Sequence, residues 1–335
     1  MSKEDYKGIW VFAEQENGVL SPTVFELLAK SADLKAKLGG KDEVTAVLIG
    51  DAVAGLAETL YAYGAENVVL AEHKNLADYS VRPYSKALAE LSEKHKPSIF
   101  LFPASAMGRD LAPRVMCRLL TGLTADAIDL DVDEDGVFVQ TTPNFGGNIL
   151  SHIVILEKRP QMVTVHPKVF SPVEPVKGAV GKLITEQLQV EADDAYQVLE
   201  RKPKVLAGKP IADSSVLISG GRGVKTAEEL ELFEKLANLL GGQTACARPL
   251  VDCGWMPHEK QIGQSGTTVK PKFILNVAVS GSVQYLAGMQ NSVCVMSINH
   301  TAGAPIYDVS HYGAVSDYRE LLPAIIAEVE RRKAI

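Results

Sequence analysis

The sequence predicts an α/β protein of two domains, each built around a parallel sheet, and three observations support this prediction. Short apolar runs alternate with stretches of helical periodicity, which is typical of parallel strands covered by helices on both faces. The chain has 335 residues, more than one ordinary domain needs. Residues 191–210 carry mixed charge, two prolines and little periodicity, as a connector does. We therefore expect an N-terminal domain over residues 1–205 and a C-terminal domain over residues 206–335.

The N-terminal domain begins with apolar runs that alternate with helical stretches. Strands are predicted at residues 9–13, 44–49, 67–70 and 98–102, and helices at residues 23–38, 54–63, 84–94 and 109–120. After residue 123 the pattern changes to successive strands with Asp-Gly and Gly-Gly turns, at residues 127–132, 137–142, 149–157 and 162–165. These added strands either extend the parallel sheet or form a meander on its edge.

The C-terminal domain repeats the alternation and is predicted to be Rossmann-like, with a doubly wound parallel sheet. Its strands are predicted at residues 215–219, 243–247, 272–279 and 293–299, and its helices at residues 226–240, 283–289 and 316–332. Thr226, Ser282 and Ser316 mark the helix starts, because a side-chain oxygen there accepts a free backbone N–H.

Composition excludes several classes of protein. The 34 basic and 41 acidic residues give a net charge of −7, which disfavours binding to nucleic acid or to an anionic membrane. Residues 273–307 contain no charged side chain, but asparagine, serine and glutamine interrupt this stretch, so we expect no membrane span. The four cysteines form no CxxC pair and no zinc-ligand spacing, so we expect no metal and a reducing compartment. Since the N-terminus has no targeting pattern, we expect a cytoplasmic protein.

Two predicted strands of the C-terminal domain run into glycine turns that suit a phosphate. The first, residues 216–225, reads VLISGGRGVK, and its backbone N–H groups and Arg222 are suited to an anion at a helix start. The dinucleotide fingerprint is partial, since Thr226 stands where a third glycine belongs. The segment is therefore also compatible with a purely structural strand–helix turn in which Arg222 points into solvent. The second turn contains Ser280, Gly281 and Ser282. In an open parallel sheet both turns meet at the carboxyl ends of the strands, where such folds bind nucleotides.

Residues 247–266 form a long loop that is rich in glycine and proline. Long loops in compact domains are often functional. The sequence GQSG at residues 263–266 matches a nucleophile elbow only in part, because Thr267 replaces the last glycine of that motif and no strand leads into it. We therefore do not expect a serine hydrolase.

Several segments together resemble the alpha subunit of electron-transfer flavoproteins. The best match is FILNVAVSGSVQYLAGM at residues 273–289, which continues to VMSIN at residues 295–299. Further segments are SGGRGVK at 219–225, VDCGW at 251–255, QIGQSG at 261–266, YGAVSD at 312–317, GRDLAPR at 108–114, TGLTA at 121–125 and RPQMVTV at 159–165. The resemblance therefore covers nearly the whole chain in order.

The resemblance implies a heterodimer with a beta subunit and one FAD in the C-terminal domain. It places Arg222 at the glycine turn near the cofactor and Arg248 against the isoalloxazine ring. The other residues implied to bind FAD are Ala247; Ile262, Gly263, Gln264 and Ser265 along the flavin and ribityl chain; Ser280, Gly281, Ser282, Val283, Gln284 and Tyr285 around the pyrophosphate and ring; and Asn299, Asp317 and Tyr318 at the adenosine end.

Three of these residues, Arg248, Ser265 and Tyr285, are implied to act on the chemistry of the flavin. A guanidinium beside the ring favours anionic reduced flavin by Coulomb attraction, and a hydroxyl near N5, here Ser265, tunes the potential through a hydrogen bond. The sequence departs from the family at Tyr285, where histidine is common, since a phenol donates a hydrogen bond but brings no charge. Two further departures are Ser265 for threonine and Ala247 for serine.

The resemblance implies an electron carrier rather than a classical enzyme. It would carry electrons from a flavin dehydrogenase of the acyl-CoA dehydrogenase type to an acceptor. In a bifurcating version, NADH is also oxidised on a flavin of the beta subunit, and electrons are split towards ferredoxin or flavodoxin. Tyr285 favours this version, because a phenol in place of the common histidine indicates a flavin whose reduction potential is tuned differently. Two rivals stay open: a stand-alone FAD- or NAD-dependent oxidoreductase, and a non-catalytic nucleotide-sensing module. The first needs an acid–base pair, and spacing identifies no partner for His258, His300 or His311.

Overall fold

The computed structural model describes residues 5–144, 149–195, 199–200 and 209–333 of the chain. The chain divides into two compact units, Met1–Arg201 and Lys202–Ile335. The predicted domain boundary between residues 205 and 206 falls within residues 201–208, which lie outside the described residues. Within the described ranges, no helix is long and apolar enough to cross a membrane.

The first unit contains a seven-stranded parallel sheet, a three-stranded antiparallel sheet and a short hairpin. Its elements are β1 (Ile9–Phe12), β2 (Gln15–Glu16), β3 (Val19–Leu20), α1 (Pro22–Lys37), β4 (Val44–Gly50), α2 (Ala57–Ala62), β5 (Asn67–Glu72), α3 (Val81–His95), β6 (Ile99–Pro103), α4 (Ala106–Leu119), β7 (Leu123–Ala127), β8 (Asp129–Val132), β9 (Phe138–Asn144), β10 (Ile149–Ile153), β11 (Gln161–Val165) and β12 (Lys182–Glu186).

Both faces of the large sheet are buried. Its strand order is β12-β5-β4-β1-β6-β11-β7, with every neighbouring pair parallel. Ile9 and Val11 of β1 belong to the apolar cluster that includes α1 and α2, whereas Trp10 and Phe12 belong to the cluster that includes α3 and α4. The α/β prediction is confirmed, because period-2 alternation of side chains sends each strand's apolar residues to both helical layers.

The added strands of the first unit both extend the sheet and form a separate one. The strand predicted at residues 127–132 corresponds to β8, which begins the antiparallel sheet β10-β9-β8. β7 of the parallel sheet shares only Ala127 with that prediction and was not predicted. The hairpin of β2 and β3 was not predicted, although Asn17 and Gly18, both with positive φ, form the turn that such hairpins favour. The antiparallel sheet therefore leaves β10 as an edge strand.

The first sheet has its own reversal of strand order at β1, with β4 on one side and β6 on the other. Ser105, just after β6, caps α4 by accepting the Gly108 N–H at 2.9 Å, and its hydroxyl donates to the Glu14 carboxyl group. Burial raises the pKa of Glu14, and the hydrogen bond from Ser105 opposes that rise. A carboxyl group of the chain itself therefore lies beside the start of α4.

The second unit is built on one parallel sheet of five strands, in the order β14-β13-β15-β16-β17. Its elements are β13 (Val216–Gly220), α5 (Leu230–Leu239), β14 (Gln243–Cys246), α6 (Arg248–Asp252), β15 (Phe273–Val277), α7 (Val283–Leu286), β16 (Val295–Asn299), β17 (Tyr312–Val315) and α8 (Tyr318–Lys333). One apolar cluster joins the sheet to α5, α6 and α8, and another joins it to α7 and the loop after β14.

The main differences from prediction in the second unit are β17 and α6, neither of which was predicted, and the start of α5. α6 lies within the stretch that was expected to be a long loop. The predicted helix at residues 226–240 begins only at Leu230. The Glu229 carboxylate accepts the N–H groups of Lys225 at 2.8 Å and Thr226 at 3.3 Å, and so holds these residues in a turn before the helix.

Candidate functional site

The carboxyl ends of all five strands of the second unit lie at one edge of the sheet, since every neighbouring pair is parallel. β13 and β15 are neighbours, but the chain leaves β13 towards β14 on one side and leaves β15 towards β16 on the other. Such a reversal opens a crevice at the carboxyl edge, which is the usual ligand site of doubly wound sheets. The loops after these strands carry the predicted site residues to that edge.

The turns that follow β13 and β15 pack directly against each other. The Gly221 N–H donates to the Val277 carbonyl at 2.9 Å, and the Gly223 N–H donates to the Ala278 carbonyl at 3.1 Å. A Cβ atom on Gly221 would lie 2.3 Å from the Ala278 carbonyl oxygen, so only glycine permits this approach. The two predicted glycine turns therefore meet at the reversal of strand order.

The second turn needs glycine for a different reason. Gly281 has a φ of +84°, and a Cβ atom there would lie 2.3 Å from the Ile306 nitrogen. The Ile306 N–H in turn donates to the Ser280 carbonyl at 3.1 Å. This packing buries Gly281 and leaves the side chains of Ser280 and Ser282 exposed at the edge.

Residues 261–266 lie between the end of β14 and α7. The Ile262 N–H donates to the Cys246 carbonyl at 2.8 Å, and the Gln264 N–H donates to the Gln284 carbonyl at 2.8 Å. These bonds place the exposed side chains of Gln264 and Ser265 in the loop that borders α7. Burial raises the pKa of the Cys246 thiol to about 12, so this cysteine is not a reactive thiolate.

Two arginines bring positive charge to the loops at this edge. Arg222 is exposed in the turn after β13. Arg248 begins α6 after Ala247, its side chain is 68% exposed, and its Nε lies 3.4 Å from the Asp252 carboxylate. The stretch at residues 273–307 adds only dipoles, namely hydroxyl, amide and backbone N–H groups. That stretch contains no acidic side chain, and the two guanidinium groups flank it. This combination of dipoles and positive charge fits an anionic diphosphate.

Tyr285 points into the protein. Its side chain is 3% exposed, and its hydroxyl lies 2.7 Å from Ser219 Oγ and 2.6 Å from Asn276 Oδ1. Burial raises the pKa of Tyr285, so the phenol stays neutral. The single hydroxyl proton is used inside the protein. The contact between Tyr285 and the flavin that the resemblance implies stays a prediction.

Two of the residues expected at the adenosine end differ in accessibility. Asn299 is buried, and its amide donates to the Val279 carbonyl at 2.8 Å and accepts the Thr301 N–H at 2.9 Å. Asp317 is exposed, and its carboxylate accepts the Arg319 N–H at 2.9 Å in the first turn of α8. Asn299 thus shapes the loops from within, whereas Asp317 lies at the surface.

Tyr318, the third of these residues, takes part in a cluster that the sequence did not reveal. Its buried hydroxyl donates to Glu229 at 2.6 Å, and Arg319 Nε donates to the same carboxylate at 2.8 Å. Burial, and then the bond to Glu229, raise the pKa of Tyr318 to about 12. The capping-box spacing of Thr226 and Glu229 is the sequence signal that points to this cluster.

The strand order β14-β13-β15-β16-β17 is the flavodoxin-like order of doubly wound sheets and not the Rossmann order that the sequence suggested. With its two glycine turns and the polar groups around them, the sheet defines the second unit as a doubly wound nucleotide-binding domain. Comparison with known families assigns the dinucleotide. Residues 210–290 match the electron transfer flavoprotein FAD-binding domain, and residues 9–193 match the electron transfer flavoprotein domain.

Similar proteins extend over nearly the whole chain. The electron transfer flavoprotein subunit alpha of Thermoanaerobacterium thermosaccharolyticum is 39% identical over 330 residues, covering 98% of this chain and 99% of the relative. The subunit of the same name from Megasphaera elsdenii is 39% identical over all of both chains. The lactate dehydrogenase (NAD(+),ferredoxin) subunit LctC of Acetobacterium woodii is 37% identical, covering 98% of this chain and 78% of the relative. The chain belongs to the electron transfer flavoprotein alpha-subunit family, and its cofactor is FAD.

Proposed function

We propose that the chain is the alpha subunit of a heterodimeric electron carrier in the cytoplasm. It takes electrons from a flavin dehydrogenase of the acyl-CoA dehydrogenase type and passes them to an acceptor. The observation that supports this best is the meeting of two glycine turns, exposed hydroxyls and two arginine-bearing loops at the carboxyl edge of the second sheet. Bound FAD supplies the electron chemistry, and this chain supplies position and charge.

Each group at the edge has a proposed task. The backbone N–H groups and hydroxyls of Ser280 to Ser282 bind the diphosphate, and Arg222 offsets part of its charge. Arg248 favours the reduced ring by Coulomb attraction, and the Ser265 hydroxyl donates to the ring. The remaining proposed contacts shape the walls around the ring, the ribityl chain and the adenosine: Ala247, Ile262, Gly263, Gln264, Val283, Gln284, Asn299, Asp317 and Tyr318.

The first unit offers a surface for the proposed partner, a beta subunit of the same family. β10 is an edge strand, and its Ile149 and Leu150 are 52% and 53% exposed. Val154 and Leu156, which follow β10, are also exposed. An edge strand with large apolar side chains in water is suited to burial against another chain. We propose that this surface contacts the beta subunit.

A bifurcating version of the carrier is favoured by one relative. The name of the Acetobacterium woodii protein pairs lactate dehydrogenase with NAD(+) and ferredoxin. For the present chain this version adds NADH as donor, a second FAD in the beta subunit, and ferredoxin or flavodoxin as a further acceptor.

Flavin content distinguishes these possibilities. The chain is produced together with a beta subunit of its family, and the flavin released from the purified heterodimer is counted and tested for reduction by NADH. One FAD that NADH does not reduce supports the simple carrier. Two FAD with NADH reduction support bifurcation. A colourless single chain that converts a substrate of its own would refute both and favour a stand-alone NAD-dependent oxidoreductase; a yellow one would favour an FAD-dependent enzyme.

A further inference from the structure

A row of polar side chains crosses the middle of the second sheet. Ser219, Asn276 and Ser297 are register neighbours on β13, β15 and β16, and all three are completely buried. The Tyr285 hydroxyl lies against two of them, 2.7 Å from Ser219 Oγ and 2.6 Å from Asn276 Oδ1. Burying such groups costs free energy unless they are hydrogen-bonded. The row is therefore stable only as a connected set.

The number of available protons fixes which group donates and which accepts in each of these hydrogen bonds. Asn276 Oδ1 can only accept, so the Tyr285 O–H donates to it. The Ser219 O–H is then free to donate to the Tyr285 oxygen. The Asn276 amide donates onward through Nδ2 to Ser297 Oγ at 3.3 Å. One continuous chain of donors thus begins at β13, passes through α7 and β15, and reaches β16.

The far end of the chain reaches the segment that packs on the second glycine turn. The Ser297 and Ser310 hydroxyl oxygens are 2.7 Å apart, and the Ser310 hydroxyl donates to the Ile306 carbonyl at 2.7 Å. Ile306 is the residue whose N–H donates to the Ser280 carbonyl, and whose backbone leaves room only for Gly281. The hydrogen-bond chain therefore joins β15, α7 and residues 305–309, the three segments around the turn at residues 280–282.

We propose that Tyr285 is a positioning residue: through this buried chain it holds the turn at residues 280–282 in the conformation that binds the diphosphate, and its hydroxyl does not contact the flavin ring. The inference rests on the proposed FAD site. Its physical basis is that Tyr285 closes the chain at α7, directly after the turn, where the phenol both donates to Asn276 and accepts from Ser219. Phenylalanine keeps the ring in the apolar cluster but breaks both bonds, so Asn276 loses its donor and the turn loses one of its anchors.

The test compares Tyr285→Phe, Ser219→Ala and the double variant in the full chain with its beta subunit. Tyr312→Phe is the matched control, since Tyr312 lies in the same unit and is 66% exposed. Four quantities are measured: FAD affinity, the ³¹P resonances of the bound diphosphate, the flavin reduction potentials, and amide hydrogen exchange of residues 280–287 before FAD is added.

We expect Tyr285→Phe to weaken FAD binding about tenfold, to move the ³¹P resonances and to speed exchange of residues 280–287, with unchanged potentials. The double variant should lose no more affinity than Tyr285→Phe alone, because both changes break the same chain. A changed potential with unchanged affinity would overturn the proposal, since the hydroxyl would then act on the ring. Unchanged affinity and exchange would overturn it as well. If the wild-type protein binds no FAD, the proposed function is refuted. The amide exchange of residues 280–287 would still decide whether Tyr285 positions the turn.

Discussion

Replacement of Glu229 by glutamine is expected to destabilise the second unit at neutral pH. The Glu229 side chain is 20% exposed and accepts hydrogen bonds from the backbone of Lys225 and Thr226 and from the side chains of Tyr318 and Arg319. Burial opposes ionisation of this carboxyl group, but the hydrogen bonds outweigh burial and lower its pKa from 4.5 to about 2. Glutamine offers one acceptor oxygen, and its NH₂ group would face some of these donors.

The pKa of Glu229 gives the size and the pH dependence of the effect. A fall from 4.5 in the unfolded chain to about 2 in the folded chain corresponds to about 3 kcal/mol of stability. Because the folded pKa is the lower one, this stabilisation is complete above pH 4.5 and is lost as the pH falls towards 2. At pH 3.5 the wild type should already have lost about 1 kcal/mol of it. Glutamine does not titrate, so the difference in free energy of unfolding between the wild type and Glu229→Gln should become smaller as the pH falls.

The chain carries one tryptophan in each unit, which makes the assay specific. In a Trp10→Phe background, urea unfolding followed by Trp255 fluorescence reports on the second unit. Glu328→Gln is the matched control, since hydrogen bonds from Arg331 and Arg332 lower the pKa of Glu328 to about 2 as well. Those contacts lie in solvent, where such pairs contribute little. The reasoning would be refuted if both variants lost the same free energy of unfolding. It would also be refuted if the loss in Glu229→Gln were the same at pH 7 and at pH 3.5.

Three further predictions concern the edge of the second sheet and the proposed partner surface. Arg248→Ala should weaken FAD binding about tenfold and make the flavin harder to reduce, as spectroelectrochemistry would show, whereas Arg248→Lys should keep most of the effect because it keeps the charge. Gly281→Ala should cost more than about 2 kcal/mol in urea unfolding and abolish FAD binding, because alanine is strained at positive φ and has no room, whereas Gly303→Ala, with open space around it, should be neutral. Leu150→Asp should weaken the complex with the beta subunit at least tenfold in sedimentation analysis; Val180→Asp, on an exposed valine outside β10, is the control, and equal losses would count against this surface.

The strands that the sequence predicted well are those buried on both faces. β4, for example, has seven consecutive buried residues and reads as one apolar run. The strands that were missed in the two parallel sheets, β7, β12 and β17, are all at sheet edges. Their sequences are LTADA, KLITE and YGAV, and only three of these 14 residues are fully buried, so hydrophobic periodicity carries little signal there.

The sequence also predicted which loops meet at the candidate site, because parallel strands place their carboxyl ends together. It did not predict where Tyr285 and Tyr318 point. The partner of the Tyr285 hydroxyl on β13 lies 66 residues away in the chain, and that of Tyr318 lies 89 residues away. A motif fixes the place of a residue along the backbone, but the direction of its side chain depends on groups that only the folded sheet brings near.

The carboxyl group of Glu14 beside the start of α4 makes the two parallel sheets differ as possible phosphate-binding sites. Both sheets reverse their strand order, and such a reversal alone would make each a potential nucleotide site. In the first unit, however, the Ser105 hydroxyl at that place is already donating to an acid of the chain itself. A phosphate entering there would compete with Glu14 for the same donor and meet its charge whenever it is ionised. At the start of α4 the hydroxyl donor is therefore already bound to an acid of the same chain, whereas Ser280 and Ser282 of the second unit keep their side chains exposed.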